Sequence, residues 1–125
     1  MSLAPLETKD DIRLVKDFMM LPIVMDVLEA DIDSMHKSNL KMPKIYTKAL
    51  KAAQNKILVD VSDVKKLLRV NGIKIYDQRR TNLGLEADYM CRGYHHKTSL
   101  LWSIVKSDVQ ERLCKYMSID ITQES

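Results

Sequence analysis

Apolar side chains at Tyr46, Leu50, Ala53, Ile57, Val61, Val64 and Leu68 recur at steps of three and four residues without interruption. That spacing follows the turn of an α-helix, so these side chains form one stripe over about six turns. A stripe of this length needs burial from end to end, and the rest of a 125-residue chain has to supply its partners. Pro43 stands at the first turn, where its missing N–H costs nothing. Asn71-Gly72 closes the run, because glycine readily takes the left-handed conformation that ends a helix, and Lys65, Lys66 and Arg69 sit near the negative end of its dipole.

A second helical pattern precedes it. Thr8 followed by Asp10 and Asp11 is a helix start, with a hydroxyl to cap orphan amides and carboxylates at the positive end of the dipole. Ile12, Val15, Met19, Ile23, Val27 and Ala30 keep helical spacing, and Pro22 predicts a kink or short break near Leu21. Leu28, Ile32 and Met35 carry the apolar face to His36, and Lys37-Ser38-Asn39 reads as a stop.

Beyond the long helix the period changes. Ile73 to Gln78 alternates apolar and polar residues, and after Arg79-Arg80-Thr81-Asn82 the stretch Leu85 to Tyr94 can return beside it as a β-hairpin. A last helix is expected from about His96, capped by Thr98 or Ser99, with Leu101, Ile104, Val105, Val109, Leu113 and Met117 on one face, ending before Ile119. Only three Gly and three Pro punctuate the chain, which favours helix. The expected fold is mainly α: a small antiparallel helical bundle with a β-hairpin between the long central helix and the C-terminal helix. One domain spanning 1–125 is expected, with flexible ends at 1–7 and 119–125.

Charge divides the chain. Residues Glu7 to Lys37 hold eight acids against four bases, whereas Leu40 to Lys97 holds thirteen bases against five acids. The acidic helix can pack near the basic section so that their fields partly cancel, or the basic section can offer a face to a polyanion. The apolar run Phe18 to Met25 is far shorter than the roughly 20 residues of a membrane-spanning helix, and Glu7, Asp10 and Asp11 stand where an export signal would be basic. A cytoplasmic protein without a membrane partner is expected. Cys91 and Cys114 are then expected as free thiols.

The densest group of reactive side chains is Cys91-Arg92-Gly93-Tyr94-His95-His96. Cys91 with His95 could begin a structural zinc site, but such sites need four ligands, and consecutive residues of a strand point to opposite faces. Asp26, Glu29, Asp33 and His36 share a side of the first helix, yet the second Glu-x-x-His motif of helical di-metal proteins is missing, so a solvated acidic face is expected. There is no Gly-rich phosphate loop, nucleophile elbow or H-E-x-x-H, and no enzyme and no cofactor are expected. Lys65, Lys66, Arg69, Lys74, Arg79, Arg80 and Arg92 could hold phosphates, in the order of a helix followed by a basic wing. A helix of nearly thirty residues is nevertheless unlike the short second helix of a helix-turn-helix. Phe18, Met20 and Trp102, with Met19 and Leu21, exceed what a small bundle can bury, which points to an interface and a homodimer.

The segment Cys91-Arg92-Gly93-Tyr94-His95, followed by Leu100-Leu101-Trp102 and an amphipathic helix, resembles small helical proteins of Firmicutes and their phages, of the YhjD type. The resemblance covers about the last third of the chain. It implies a bacterial cytoplasmic protein and brings no catalytic residues with it. The expected function is that of a non-enzymatic interaction or regulatory module that binds another protein or a second copy of itself. Nucleic-acid binding is the alternative.

Overall fold

The computed structural model describes residues 7–122; of the ends expected to be flexible, 1–7 and 119–125, residues 1–6 and 123–125 lie outside the described residues, while Glu7 lies against His96 and the Ile119 N–H donates to the Cys114 carbonyl. Helix α1 spans Lys9–His36 and helix α2 spans Pro43–Val70. Three strands follow, β1 at Ile73–Arg80, β2 at Gly84–Cys91 and β3 at Tyr94–Leu101, and then helix α3 at Trp102–Tyr116.

The capping residues act as their chemistry dictates. The Thr8 hydroxyl accepts from the Asp11 N–H at 3.1 Å, and the Asp11 carboxylate accepts from the Thr8 N–H at 2.9 Å, a reciprocal capping box. Helix α2 begins with Pro43 in its first turn and closes on Asn71, followed by Gly72 at φ +69°. The stripe on α2 is buried at Leu50, Ala53, Ile57, Val64 and Leu68, while Tyr46, at the open end of the helix, is exposed.

Of the kink or short break expected near Leu21, the break is absent: α1 runs through Pro22 as one helix. A proline inside a helix costs about 3 kcal/mol. Met19, Met20, Leu21 and Val24 around it are buried, and each such side chain returns about 1.5–3 kcal/mol on burial. Packing therefore outweighs the local penalty.

The expectation of a mainly α bundle with a single hairpin is corrected. The fold is α+β, with a three-stranded antiparallel sheet in the order β1-β2-β3. The stretch from His96 to Leu101, expected to open the last helix, belongs instead to β3, which begins at Tyr94, and α3 starts at Trp102 with no side-chain cap. Thr98 and Ser99 are strand residues and not caps. The alternation that identifies β3 is faint because it is an edge strand: His96, Thr98 and Leu100 are half-buried between exposed neighbours. The β2–β3 turn is Arg92-Gly93 with φ +49° and +88°, two positive values of the kind a tight two-residue hairpin requires.

The sheet has one dry face and one wet face. Ile73, Leu85, Ala87, Tyr89 and Cys91 turn inward, onto a core that includes Val15, Met20, Val24 and Leu28 of α1, Ile57 and Leu68 of α2, and Val105 and Val109 of α3. The opposite face carries Lys74, Asp77, Arg79, Glu86, Asp88, His95 and Lys97, in line with the cross-strand register. Gly84 has no room for a side chain, since a Cβ there would lie 1.9 Å from the Leu100 carbonyl oxygen.

Candidate functional site

The reactive hexapeptide resolves into a turn and a staple. Arg92, in the turn, reaches Asp11 at the start of α1 at 2.5 Å and the Asn71 carbonyl at the end of α2 at 2.9 Å, and its own N–H donates to the Gly72 carbonyl at 2.8 Å. One side chain thus ties together two helix ends and the sheet. Hydrogen bonding to Arg92 holds the Asp11 carboxyl well below the usual carboxylate range, against the opposing effect of burial. Burial, followed by the Asp11 charge, pushes the Cys91 thiol up, which leaves it a poor nucleophile.

The two imidazoles are separated by the pleat. His96 stacks on Tyr89 with ring centroids 5.4 Å apart, and its Nδ1 is 3.6 Å from Glu7. His95 is opposite Met90 on the wet face, where its Nδ1 meets the Tyr76 hydroxyl at 3.1 Å. Cys91 and His95, the pair considered for zinc, therefore lie on opposite faces of the sheet. Among the described residues no group of three or more His, Cys, Asp or Glu is placed to hold a metal ion. The acids of α1 find polar partners instead: Asp26 pairs with Arg80, Glu29 accepts from Gln54, and Asp33 pairs with Lys37.

The seven cations considered for phosphate contact divide into two groups. Arg79 is held by Asp77, Glu86 and Asp88 on the wet face of the sheet, Arg80 by Asp26 at 2.8 Å, and Arg92 by Asp11. Arg79 and Arg92 are thereby engaged within the fold, whereas the Arg80–Asp26 pair is solvent-exposed. Lys65, Lys66, Arg69 and Lys74 are exposed and have no ion-pair partner among the described residues. Three of these four rim a cleft of about 540 Å³ between the end of α2 and β1, whose walls include Phe18, Leu68, Ile73 and Ile75. An adjoining hollow of about 180 Å³, lined by Leu21, Pro22, Val61, Val64 and Gln78, shares Phe18 and Lys65 with it. The two share Phe18 as a wall and together make a shallow, open trench with cations and no carboxylate among its lining residues.

The three residues expected at an interface part company. Phe18 lines the trench. Met20 is 0% exposed and belongs to the core, as do Met19 and Leu21. Trp102 is 37% exposed; its indole N–H donates to the Thr81 carbonyl at 2.8 Å and its backbone N–H to the Leu83 carbonyl at 3.1 Å. These bonds place it beside Leu83, which is 75% exposed, at the end of the sheet where Leu101 and Ile104 are exposed as well.

A family model described as YhjD protein matches residues 6–121, nearly the whole fold just described. The chain belongs to the YhjD family. No curated protein and no solved structure matches it. The match extends the resemblance carried by Cys91–His95 and Leu100–Trp102 to both long helices and the whole sheet, and the family brings no assigned activity. Two features of this YhjD-family chain escaped the sequence reading. Leu83 joins the Trp102 patch only because the β1–β2 loop folds back on α3, and Asp11 meets Arg92 across 81 positions. The first had no sequence signal; the second had one half, the capping position of Asp11. No helix among the described residues is long and apolar enough to cross a membrane.

Proposed function

We propose that the protein is a non-enzymatic interaction module that takes an acidic segment of a protein partner into the trench between α2 and β1. The observation that carries this reading is the trench itself. Apolar side chains including Phe18, Leu68, Ile73 and Ile75 line it together with Lys65, Arg69 and Lys74, with no carboxylate among the lining residues to compete for a ligand. Apolar burial supplies affinity at such a surface, and the unpaired rim charges select the partner's sign and speed its approach. Self-association belongs to the same reading and uses the patch of Leu83, Leu101, Trp102 and Ile104. A cytoplasmic location goes with it, supported by two cysteines that are both free thiols.

Affinity capture with the full chain as bait, compared with a Phe18→Glu, Arg69→Glu variant, tests the trench. A partner with an acidic segment retained by wild type and lost by the variant is expected; equal retention by both ends the proposal. Light scattering across a concentration series tests self-association, where Leu83→Asp and Leu101→Asp should give a monomer. Wild type that stays monomeric at high concentration removes that part.

Nucleic-acid binding is the second reading, favoured by Lys65, Lys66, Arg69 and Lys74, which are exposed and have no ion-pair partner among the described residues. Its test is fluorescence anisotropy with mixed DNA and RNA probes across a salt series. Charge reversal at Lys65, Lys66 and Arg69 should abolish binding, whereas Arg79, held by Asp88, and Arg80, paired with Asp26, should matter less.

A further inference from the structure

The far end of the α1–α2 hairpin is a second charged surface, remote from the trench and from the Trp102 patch. Along α1, contact with the sheet is marked by the Asp26–Arg80 pair, and along α2, contact with α3 is marked by Lys56, whose Nζ donates to the Tyr116 carbonyl at 3.1 Å. Beyond these points the hydrogen bond from Gln54 to Glu29 joins the two helices to each other only. The hairpin therefore ends in a tip built from the last turn of α1, the connection 37–42 and the first turns of α2.

Two observations about this tip are independent. Its chemistry is predominantly basic: from Ser34 to Val59 the chain carries six lysines and no acid, with Asp31 and Asp33 just before that stretch at the end of α1. Lys41, Lys44, Lys48 and Lys51 are exposed and have no ion-pair partner among the described residues; of the two acids that flank this stretch in sequence, Asp33 is held by Lys37 at 3.2 Å and Asp60 accepts from the Tyr116 hydroxyl at 2.5 Å. Its apolar side chains are also left outside. Leu40, Met42 (51% exposed), Ile45 (58%) and Tyr46 gather within seven positions, while the neighbouring Thr47 and Leu50 are buried.

A nucleic-acid backbone would take up the lysines but would offer nothing to four exposed apolar side chains. A bilayer surface of anionic lipid takes both: the headgroups attract the ammonium ions, and the apolar residues enter the boundary between headgroups and acyl chains. Lysine suits such a boundary because its apolar stem can lie along the acyl region while the ammonium remains among the phosphates. We propose that the hairpin tip docks on an anionic lipid bilayer, with Met42 and Ile45 inserted and Lys41, Lys44 and Lys48 against the phosphates. No spanning helix is needed, so the short apolar runs of the chain, which spoke against a membrane partner, do not bear on a contact of this kind.

Co-sedimentation of the full chain with extruded vesicles tests the proposal, comparing pure phosphatidylcholine with an equal mixture of phosphatidylcholine and phosphatidylglycerol. Wild type is expected to sediment with the mixed vesicles and not with the neutral ones, and added salt should release it. Each lysine near the surface is worth about five-fold in partitioning. The triple variant Lys41→Glu, Lys44→Glu, Lys48→Glu should therefore lose at least about a hundred-fold. Ile45→Glu, exposed and not expected to disturb the core, should also weaken binding, while Lys65→Glu with Arg69→Glu in the trench should leave it unchanged. Wild type that ignores anionic vesicles overturns the proposal. So does binding that survives both tip variants, binding lost only in the trench variant, or a tip that binds a DNA probe in preference to the vesicles.

Discussion

Replacing Asp11 with Asn removes one charge from the junction of α1, α2 and the β2–β3 turn while keeping the size of the side chain. Asp11 is 3% exposed, accepts from the Thr8 N–H at 2.9 Å and from Arg92 at 2.5 Å, and contacts the Cys91 sulfur at 3.7 Å. A hydrogen bond to a charged group contributes about 1.5–3 kcal/mol, and Asn can retain only a neutral version of the contact with Arg92. The expected loss at neutral pH is about 2–3 kcal/mol, out of the roughly 5–15 kcal/mol typical of a domain. Urea unfolding followed by circular dichroism, for wild type and Asp11→Asn over a pH series, measures it. The sign follows from linkage. Hydrogen bonding to Arg92 depresses the folded-state pKa of Asp11, so its stabilisation is fully present above the unfolded value of about 3.9 and is lost as pH falls through the lower folded value. The gap between wild type and variant should thus hold from pH 7 to pH 5 and close only in stronger acid. A gap under about 0.5 kcal/mol at pH 7, within the range of an ordinary surface substitution, would refute the claim that this junction matters. A gap that closes between pH 7 and 5 would refute the assignment to Asp11.

Three further outcomes are expected. Gly84→Ala would set a Cβ 1.9 Å from the Leu100 carbonyl oxygen, so β2 and β3 must part; a loss of about 1–3 kcal/mol or more, read as a lower melting temperature, is expected. Ile57→Ala, at a fully buried position of the α2 stripe, should cost about 2–5 kcal/mol by chemical denaturation, and a loss under 1 kcal/mol would mean that the stripe is not the core described. Of the two thiols, Cys91 is buried with its pKa raised by that burial, and Cys114 is half-buried, so a thiol reagent at pH 8 should modify Cys114 first and Cys91 only on unfolding. Equal rates in the folded protein would contradict this.

The legible elements were those whose signal is local and repeated. Seven apolar positions at helical spacing announce α2, and Thr8 with Asp11, or Asn71 with Gly72, mark helix ends by hydrogen-bonding chemistry that needs no distant partner. The first hairpin was visible in the alternation of Ile73 to Gln78. What was misread is what depends on neighbours. Residues 94–101 contain Thr98 and Ser99, acceptable as caps in isolation, and become a strand because β2 offers them an open edge joined by a two-residue turn. Pro22 reads as a kink or short break, and it is the buried Met20 and Val24 on either side that carry the helix through it uninterrupted. Charge behaved in the same way: composition located the basic half of the chain, but only contacts separated Arg79, Arg80 and Arg92, engaged by carboxylates, from Lys65, Lys66, Arg69 and Lys74, which remain available. Sequence alone therefore determined where the long helices lie and which half is positive, because periodicity and composition are carried by the chain itself. The third strand, the trench around Phe18 and the Arg92–Asp11 junction were decided by tertiary structure, because each rests on groups far apart along the chain whose pairing energy exists only once the fold has brought them together.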